Sequence, residues 1–327
     1  MHHYNMKRKI LFRVDGGLKI GLGHLVRCIA LAQMLLDQYQ ISFICKEVPT
    51  AIESKIRDLG YHFLKVENEE QFLNQLESNA IVIMDHYGLN SNYQKTIKDL
   101  GCKLVSIDDL NDKVFYADLI INHAPNVDKS TYRVQHYTKF ALGIEYALLR
   151  PTFLSKAKEQ RKIEEVKTIF ICFGGADPRN LTIEILKVAC RLNELHIIVV
   201  TGNSYRYINE LSKMVSKHEQ VSHYHNIDEI EMARLMGFSD IAIVPASGIL
   251  FEALASGCIV ITSYYVDNQK AIFDGFKKLK AANFLEDFEM LTSDFLNEFI
   301  LKFQPNDIQN PIDGQSNIRL KKLIDQL

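Results

Sequence analysis

The strongest constraint in this sequence is an alternation that runs through it twice. Short runs that are apolar at every position, such as Ala80-Ile81-Val82-Ile83-Met84, are followed by longer stretches with apolar residues at helical spacing. A strand apolar throughout is buried on both faces, and strands separated by helices pair in parallel. The pattern therefore predicts parallel sheets covered by helices on both sides. The first round predicts strands over residues 9–14, 41–45, 80–84, 103–107 and 119–121, with helices over 23–36, 51–59 and 91–100. The second predicts strands over 168–173, 196–201, 241–244 and 259–263, with helices over 180–192, 230–236 and 249–256. The stretch 156–165 between them is charged and has little core character.

A chain of 327 residues exceeds one ordinary core. The fold class read from the pattern is α/β, with two doubly wound domains over 1–150 and 166–327 joined by a linker over 151–165. Ligands of such sheets sit at the carboxyl ends of the strands, where the strand order reverses. Two such domains face to face would enclose a cleft of the kind that takes a nucleotide substrate.

Charge excludes some partners. Lys plus Arg number 38 against 40 Asp plus Glu, so the chain is not built to bind nucleic acid. No apolar run reaches the roughly 18 residues of a membrane span. The opening residues, with His2 and His3 as tail residues, lack the apolar core of a signal peptide, so the expected compartment is the cytoplasm. The six cysteines, Cys28, Cys45, Cys102, Cys172, Cys190 and Cys258, are scattered without a Cys-x-x-Cys, which argues against disulfides and zinc.

The first strand ends at Asp15 and runs into Gly16-Gly17-Leu18-Lys19-Ile20-Gly21-Leu22-Gly23-His24-Leu25-Val26-Arg27. Glycines there permit a tight turn and close approach to a ligand. A helix starting near Gly23 would present unpaired N–H groups to an anion. His24, at that start, has the chemistry of a general base; the plain alternative is a structural turn with an incidental histidine. Val26 stands where a dinucleotide fingerprint needs its last glycine, and no Gly-Lys-Ser/Thr of a P-loop follows. Asp85-His86-Tyr87-Gly88 follows another strand. Asp85 could orient a histidine or a sugar hydroxyl and Tyr87 could donate to a leaving oxygen, or Asp85 could simply cap the next helix. Asp108-Asp109 reads as a solvated turn, and without an Asp-x-Asp no metal is expected.

The second half repeats the anion logic. Gly174-Gly175 ends a strand ahead of a helix, and Ser247-Gly248 opens another, with hydroxyl and N–H groups suited to a pyrophosphate. Glu252, one turn in, could accept from ribose hydroxyls or simply complement the helix N-terminus. Asp267-Asn268-Gln269 follows a further strand, where its polar groups could meet a sugar or cap a helix. His223-Tyr224-His225 has no third ligand in register for a metal, and Lys277-Lys278-Leu279-Lys280 reads as a solvated helix face.

Six segments in order carry a family likeness: residues 20–27, Asp85-His86-Tyr87-Gly88, Ile107-Asp108-Asp109, Tyr146-Ala147-Leu148-Leu149-Arg150, Phe173-Gly174-Gly175-Ala176-Asp177 with Asn180-Leu181, and Asp267-Asn268-Gln269. Together they resemble the UDP-2,4-diacetamido-2,4,6-trideoxy-β-L-altropyranose hydrolases of pseudaminic acid biosynthesis, over about residues 10 to 269. The resemblance implies a GT-B fold of two Rossmann-like domains and hydrolysis of a UDP-sugar without cofactor. It implies that His24 is the catalytic residue. It places Asp15, Gly21, Gly23, Arg27, Asp85, Tyr87, Asn268 and Gln269 at the sugar, and Gly174, Gly175, Ser247, Gly248 and Glu252 at UDP. The chain departs from the family pattern at Gly17, where many members carry Ser, and at Gly248, where a second hydroxyl residue is common.

The mechanism expected is attack of water on C1 with inversion. UDP leaves without a strong general acid, and His24 takes the proton from water. The expected partner is a small UDP-sugar, with no nucleic acid, no membrane and a monomeric chain. The alternatives are a GT-B glycosyltransferase using a UDP-sugar and a non-catalytic UDP-sugar-binding protein.

Overall fold

The computed structural model describes residues 7–17, 21–35, 38–159, 161–304 and 310–327. His2, His3, Leu18, Lys19, Ile20 and Leu36, which the sequence reading used, lie outside them. The chain forms two compact units, one reaching to Pro151 and completed by Gln315–Leu327, the other Thr152–Gly314.

The first unit comprises β1 (Arg8–Val14), α1 (Gly23–Leu35), β2 (Tyr39–Cys45), α2 (Thr50–Asp58), β3 (His62–Lys65), α3 (Glu69–Leu73), β4 (Ile81–Asp85), α4 (Ser91–Asp99), β5 (Lys103–Ile107), β6 (Val114–Phe115), β7 (Leu119–Asn122), β8 (Arg133–Val134) and β9 (Lys139–Leu142). The second holds α5 (Pro151–Lys156), β10 (Thr168–Ile171), α6 (Leu181–Ala189), β11 (His196–Thr201), α7 (Ile208–Val215), β12 (Val221–His225), α8 (Glu229–Phe238), β13 (Ile241–Pro245), α9 (Gly248–Ala255), β14 (Ile259–Ser263), α10 (Lys270–Leu279), β15 (Asn283–Phe284) and α11 (Ser293–Lys302). The chain then returns to the first unit as α12 (Ser316–Asp325).

The first sheet has the order β3-β2-β1-β4-β5-β7-β9, and its pairings are all parallel. Alternation along β1 divides the core. Ile10, Phe12 and Val14 pack with Leu25 and Ile29 of α1 and with Leu320 and Ile324 of α12. Leu11 packs on the other side with Met84, Phe72 of α3 and Ile97 of α4. Each such fully buried side chain contributes about 1.5–3 kcal/mol relative to exposure. The second sheet, β12-β11-β10-β13-β14-β15, is also parallel. Its order reverses between β10 and β13, as the first reverses between β1 and β4. Helix starts are fixed locally: the Asn68 side chain accepts from the Gln71 N–H, Asn90 from Tyr93, Asp228 from Glu231 and Thr292 from Phe295.

The structure redraws the expected domain boundaries in two places. Residues 151–165 do not form a free linker. Pro151–Lys156 is helical, and Arg161 anchors the following segment, donating to the Asp240 carboxylate at 2.9 Å and to the Ser239 carbonyl. Nor does 166–327 form one domain. Leu320 and Ile324 complete the first unit's core, and the Ser316 hydroxyl donates to Ala147 O at 2.7 Å. The six cysteines are buried free thiols. Among the described residues no helix is long and apolar enough to cross a membrane.

Candidate functional site

In the first unit, β1 and β4 run side by side at the point where strand order reverses, and their carboxyl ends carry the predicted residues. After β1 the chain narrows, with Gly17 and Gly21 exchanging backbone hydrogen bonds of 3.1 and 2.8 Å. Gly21 holds φ +82°, a conformation that side chains with a Cβ rarely adopt. Gly21 and Gly23 are exposed, and among the described residues, chain neighbours and the helix's own backbone aside, no atom lies within 4 Å of where a Cβ would stand on either.

His24 lies in the first turn of α1 with its side chain only 6% exposed. Its Nδ1 is 2.6 Å from Asp85 Oδ1 at the end of β4. Burial pushes the Asp85 carboxyl up, but the adjacent Arg27 and His24 outweigh it and hold Asp85 below the usual carboxylate range. An ionised carboxylate only accepts, so Nδ1 carries a proton, and in the neutral ring the lone pair then lies on Nε2. Nε2 has no hydrogen-bond partner among the described residues. That tautomer, fixed by a carboxylate behind the ring, is what a general base requires.

Arg27 spans the Asp85 carboxylate, donating from Nε at 2.5 Å and from Nη2 at 2.6 Å. Nη2 also donates to Asp109 at 2.8 Å. The Tyr87 hydroxyl donates to the other Asp109 oxygen at 2.7 Å, and the Tyr87 ring meets the His24 ring edge-on at 4.5 Å. His24, Arg27, Asp85, Tyr87 and Asp109 thus form one network. His123, just past β7, is buried beside it and pushed down to about 4 by burial and by Arg27. Its Nδ1 accepts from the Leu148 N–H at 3.2 Å.

Several predicted sugar residues are turned to the framework. Asp15 Oδ1 accepts from the Lys46 and Glu47 N–H groups at 2.6 and 3.1 Å, while Oδ2 pairs with Arg13 at 2.9 Å. His86 Nε2 lies 3.3 Å from the same oxygen, and His86 Nδ1 accepts from the Gly88 N–H at 3.0 Å. Asp15 therefore ties the end of β1 to the loop after β2 and to the β4–α4 loop. The Arg27 guanidinium is likewise spent on Asp85 and Asp109, and the Tyr87 hydroxyl on Asp109. Asp109, which the sequence pattern presents as a solvated turn, is a hub. It follows the strand next to β4, and that strand-end position was the one available signal. The neighbouring Asp108 is structural, accepting from the Tyr132 hydroxyl at 3.0 Å and from the Asn111 N–H at 2.9 Å.

In the second unit the turns after β10 and β13 stand at the other reversal point. Gly174 takes φ +80°, and a Cβ on Gly202, just past β11, would stand 2.5 Å from Gly175 Cα. The two loops thus touch backbone to backbone. Asp177 receives the Leu181 and Thr182 N–H groups at 3.0 and 2.8 Å, closing the start of α6. Ser247 occupies the N-cap position of α9 without a side-chain cap bond, and Gly248 beside it is exposed. Those N–H groups suit an anion. Glu252 is almost covered, at 7% exposure. Asn268 is exposed, but Gln269 turns inward and accepts from the Tyr265 N–H at 3.1 Å, so Gln269 shapes its loop. His223 and His225 both meet the Thr201 hydroxyl, at 2.8 and 3.0 Å.

No family model matches the chain. Among curated proteins it is 30% identical over 285 residues to an uncharacterised protein of Methanocaldococcus jannaschii, spanning 83% of this chain and 58% of that protein's length. It is 26% identical over 278 residues to the spore coat polysaccharide biosynthesis protein SpsG of Bacillus subtilis, covering 82% and 80%. Solved structures share the fold at low identity. Acinetobacter baumannii MurG aligns over 98% of this chain and all of its own, with TM-score 0.63 and 14% identity. The UDP complex of Arabidopsis thaliana UGT89C1 aligns over 97% and 94%, with TM-score 0.60 and 11% identity. The fold is GT-B. The UDP-2,4-diacetamido-2,4,6-trideoxy-β-L-altropyranose hydrolase of Campylobacter jejuni is 31% identical over 275 residues, 80% of this chain and 94% of that enzyme, and the chain belongs to its family.

Proposed function

We propose that this protein hydrolyses a UDP-linked 2,4-diacetamido-2,4,6-trideoxyhexose at its anomeric carbon, releasing free sugar and UDP, in nonulosonate biosynthesis of the pseudaminic acid type. The observation that carries the reading is His24 at the head of α1, its Nδ1 held by Asp85 and its Nε2 open. The Campylobacter jejuni relative, a UDP-2,4-diacetamido-2,4,6-trideoxy-β-L-altropyranose hydrolase, supports the substrate class.

In this mechanism His24 Nε2 takes a proton from water as the water oxygen bonds to C1. The C1–O bond to UDP breaks on the opposite face, inverting the centre. Asp85 stabilises the imidazolium that forms, as carboxylates behind catalytic histidines do. UDP departs as a stabilised anion and requires no strong acid. Gly174, Gly175, Ser247 and Gly248 supply N–H and hydroxyl groups for its phosphates.

The test is turnover of the UDP-sugar in ¹⁸O-water, without acceptor, followed by mass spectrometry. The expected result is ¹⁸O in the sugar and none in UDP. His24→Ala should lose about 10²–10⁴-fold in rate while still binding UDP. Label in UDP would mean attack at phosphorus and overturn the mechanism. Release only on adding a hydroxyl acceptor would make the protein a transferase, and binding without release would make it a UDP-sugar-binding protein.

A further inference from the structure

Arg27 poses a problem for the base. Its Nη2 lies 3.2 Å from His24 Nδ1, and since Nδ1 carries the proton that Asp85 accepts, this approach is a cation against an N–H rather than a hydrogen bond. A guanidinium so close opposes protonation of the imidazole. The surroundings of His24 decide how far. Asp85 contacts it from β4, Arg27 from its own helix and Tyr87 from the β4–α4 loop; behind these the Cys28 thiol meets Asp85, Asp109 beyond β5 meets Arg27 and Tyr87, and His123 shares the field of the same charges.

The fixed charges are two carboxylates and one guanidinium, all poorly exposed: 1% for Asp85, 15% for Asp109 and 13% for Arg27. With His24 neutral the cluster carries one net negative charge, and a proton on His24 brings it to zero. Without Asp109 the same proton would leave a net positive charge in a covered site, which is costly. We propose that Asp109 is a positioning residue for His24: it takes up the charge of Arg27, so that Arg27 can grip Asp85 without making His24 a weaker base. Asp109 touches no reacting atom in this scheme. It acts by holding Arg27 and Tyr87, and by its charge.

This inference rests on the reading of His24 as the base, but its test does not need turnover. The His24 ring is labelled with ¹³C, assigned by its loss in His24→Gln, and titrated by NMR in four proteins. Asp109→Asn should move the His24 midpoint down by about one pH unit, and Arg27→Gln should move it up by a similar amount. The double variant, which removes one charge of each sign, should return to within about 0.3 unit of the parent. In the hydrolysis assay the acidic limb of kcat/KM should move in the same directions. An unmoved midpoint in Asp109→Asn, or shifts of the same sign in the two single variants, would overturn the proposal. Should Asp109→Asn not fold, Arg27→Gln alone decides, and a midpoint that stays or falls refutes it. Failure to hydrolyse any UDP-sugar would sink the hydrolase reading while leaving these midpoints to be judged.

Discussion

At the scale of single residues, the proposed role of His24 depends on Asp85, which holds its Nδ1. Asp85→Asn removes the charge behind the ring and leaves the fold of β4 intact. We expect kcat to fall at least about 10²-fold, with UDP affinity unchanged by calorimetry. His24, Asp85 and the glycines before them were legible in the sequence because their signal is local: a strand end, a glycine turn, a helix start. Asp109 was legible only as one of two adjacent acids, and nothing in Asp108-Asp109 says which faces the network. That choice is made by Arg27, Tyr87 and Tyr132, which lie far off in sequence. Arg13 is not foreseeable from the pattern: it is a charged residue at 0% exposure in an otherwise apolar stretch of β1. It is held by Glu69 at 2.5 Å and by Asp15, partners from α3 and from its own strand end. Periodicity registers the burial of position 13 but cannot foresee the carboxylates that make it tolerable.

At the scale of elements, the second unit's Gly174-Gly175 turn is a joint product of two loops. The sequence pointed to Gly174-Gly175, but Gly202 contributes as much, because only a residue without Cβ lets the end of β11 lie against Gly175. Gly202→Ala forces backbone against backbone. We expect about 1–3 kcal/mol of lost stability in urea and at least a 10-fold loss of UDP affinity by calorimetry. Asp177 acts on the same turn from the other side by capping α6. Asp177→Ala should lower stability by about 1–2 kcal/mol, again read in urea. Strands buried throughout, such as β4 and β14, are legible in the sequence, since burial on both faces leaves a mostly apolar run. The short edge strands β9 and β15 are not, because they are partly exposed and carry polar residues.

At the scale of the molecule, acid should act on the first unit in two stages. The folded His123 is pushed down to about 4 from an ordinary value of 6.5, so the unfolded chain binds the extra proton first. Its contribution is present above pH 6.5 and is lost as pH falls towards 4, about 3 kcal/mol in all. Urea unfolding at pH 8, 6 and 4 should show that loss, and His123→Gln should flatten it. Asp15 and Asp85 are held low in the fold, so their stabilisation persists to about pH 3.9 and drains only below it. The two halves of the architecture were visible from the repeated alternation. What stayed hidden was that the first half closes with residues from the far end, because Leu320 and Ile324 look like any amphipathic helix until their partners are known. That closure sets an order of events during synthesis. The segment Gln315–Leu327 follows the whole of Thr152–Gly314 in the chain, so during synthesis the first unit waits for the helix that closes its core until the second has been made. For that interval the nascent chain carries an open apolar groove beside α1, and it is there that a chaperone, or an aggregate, would take hold.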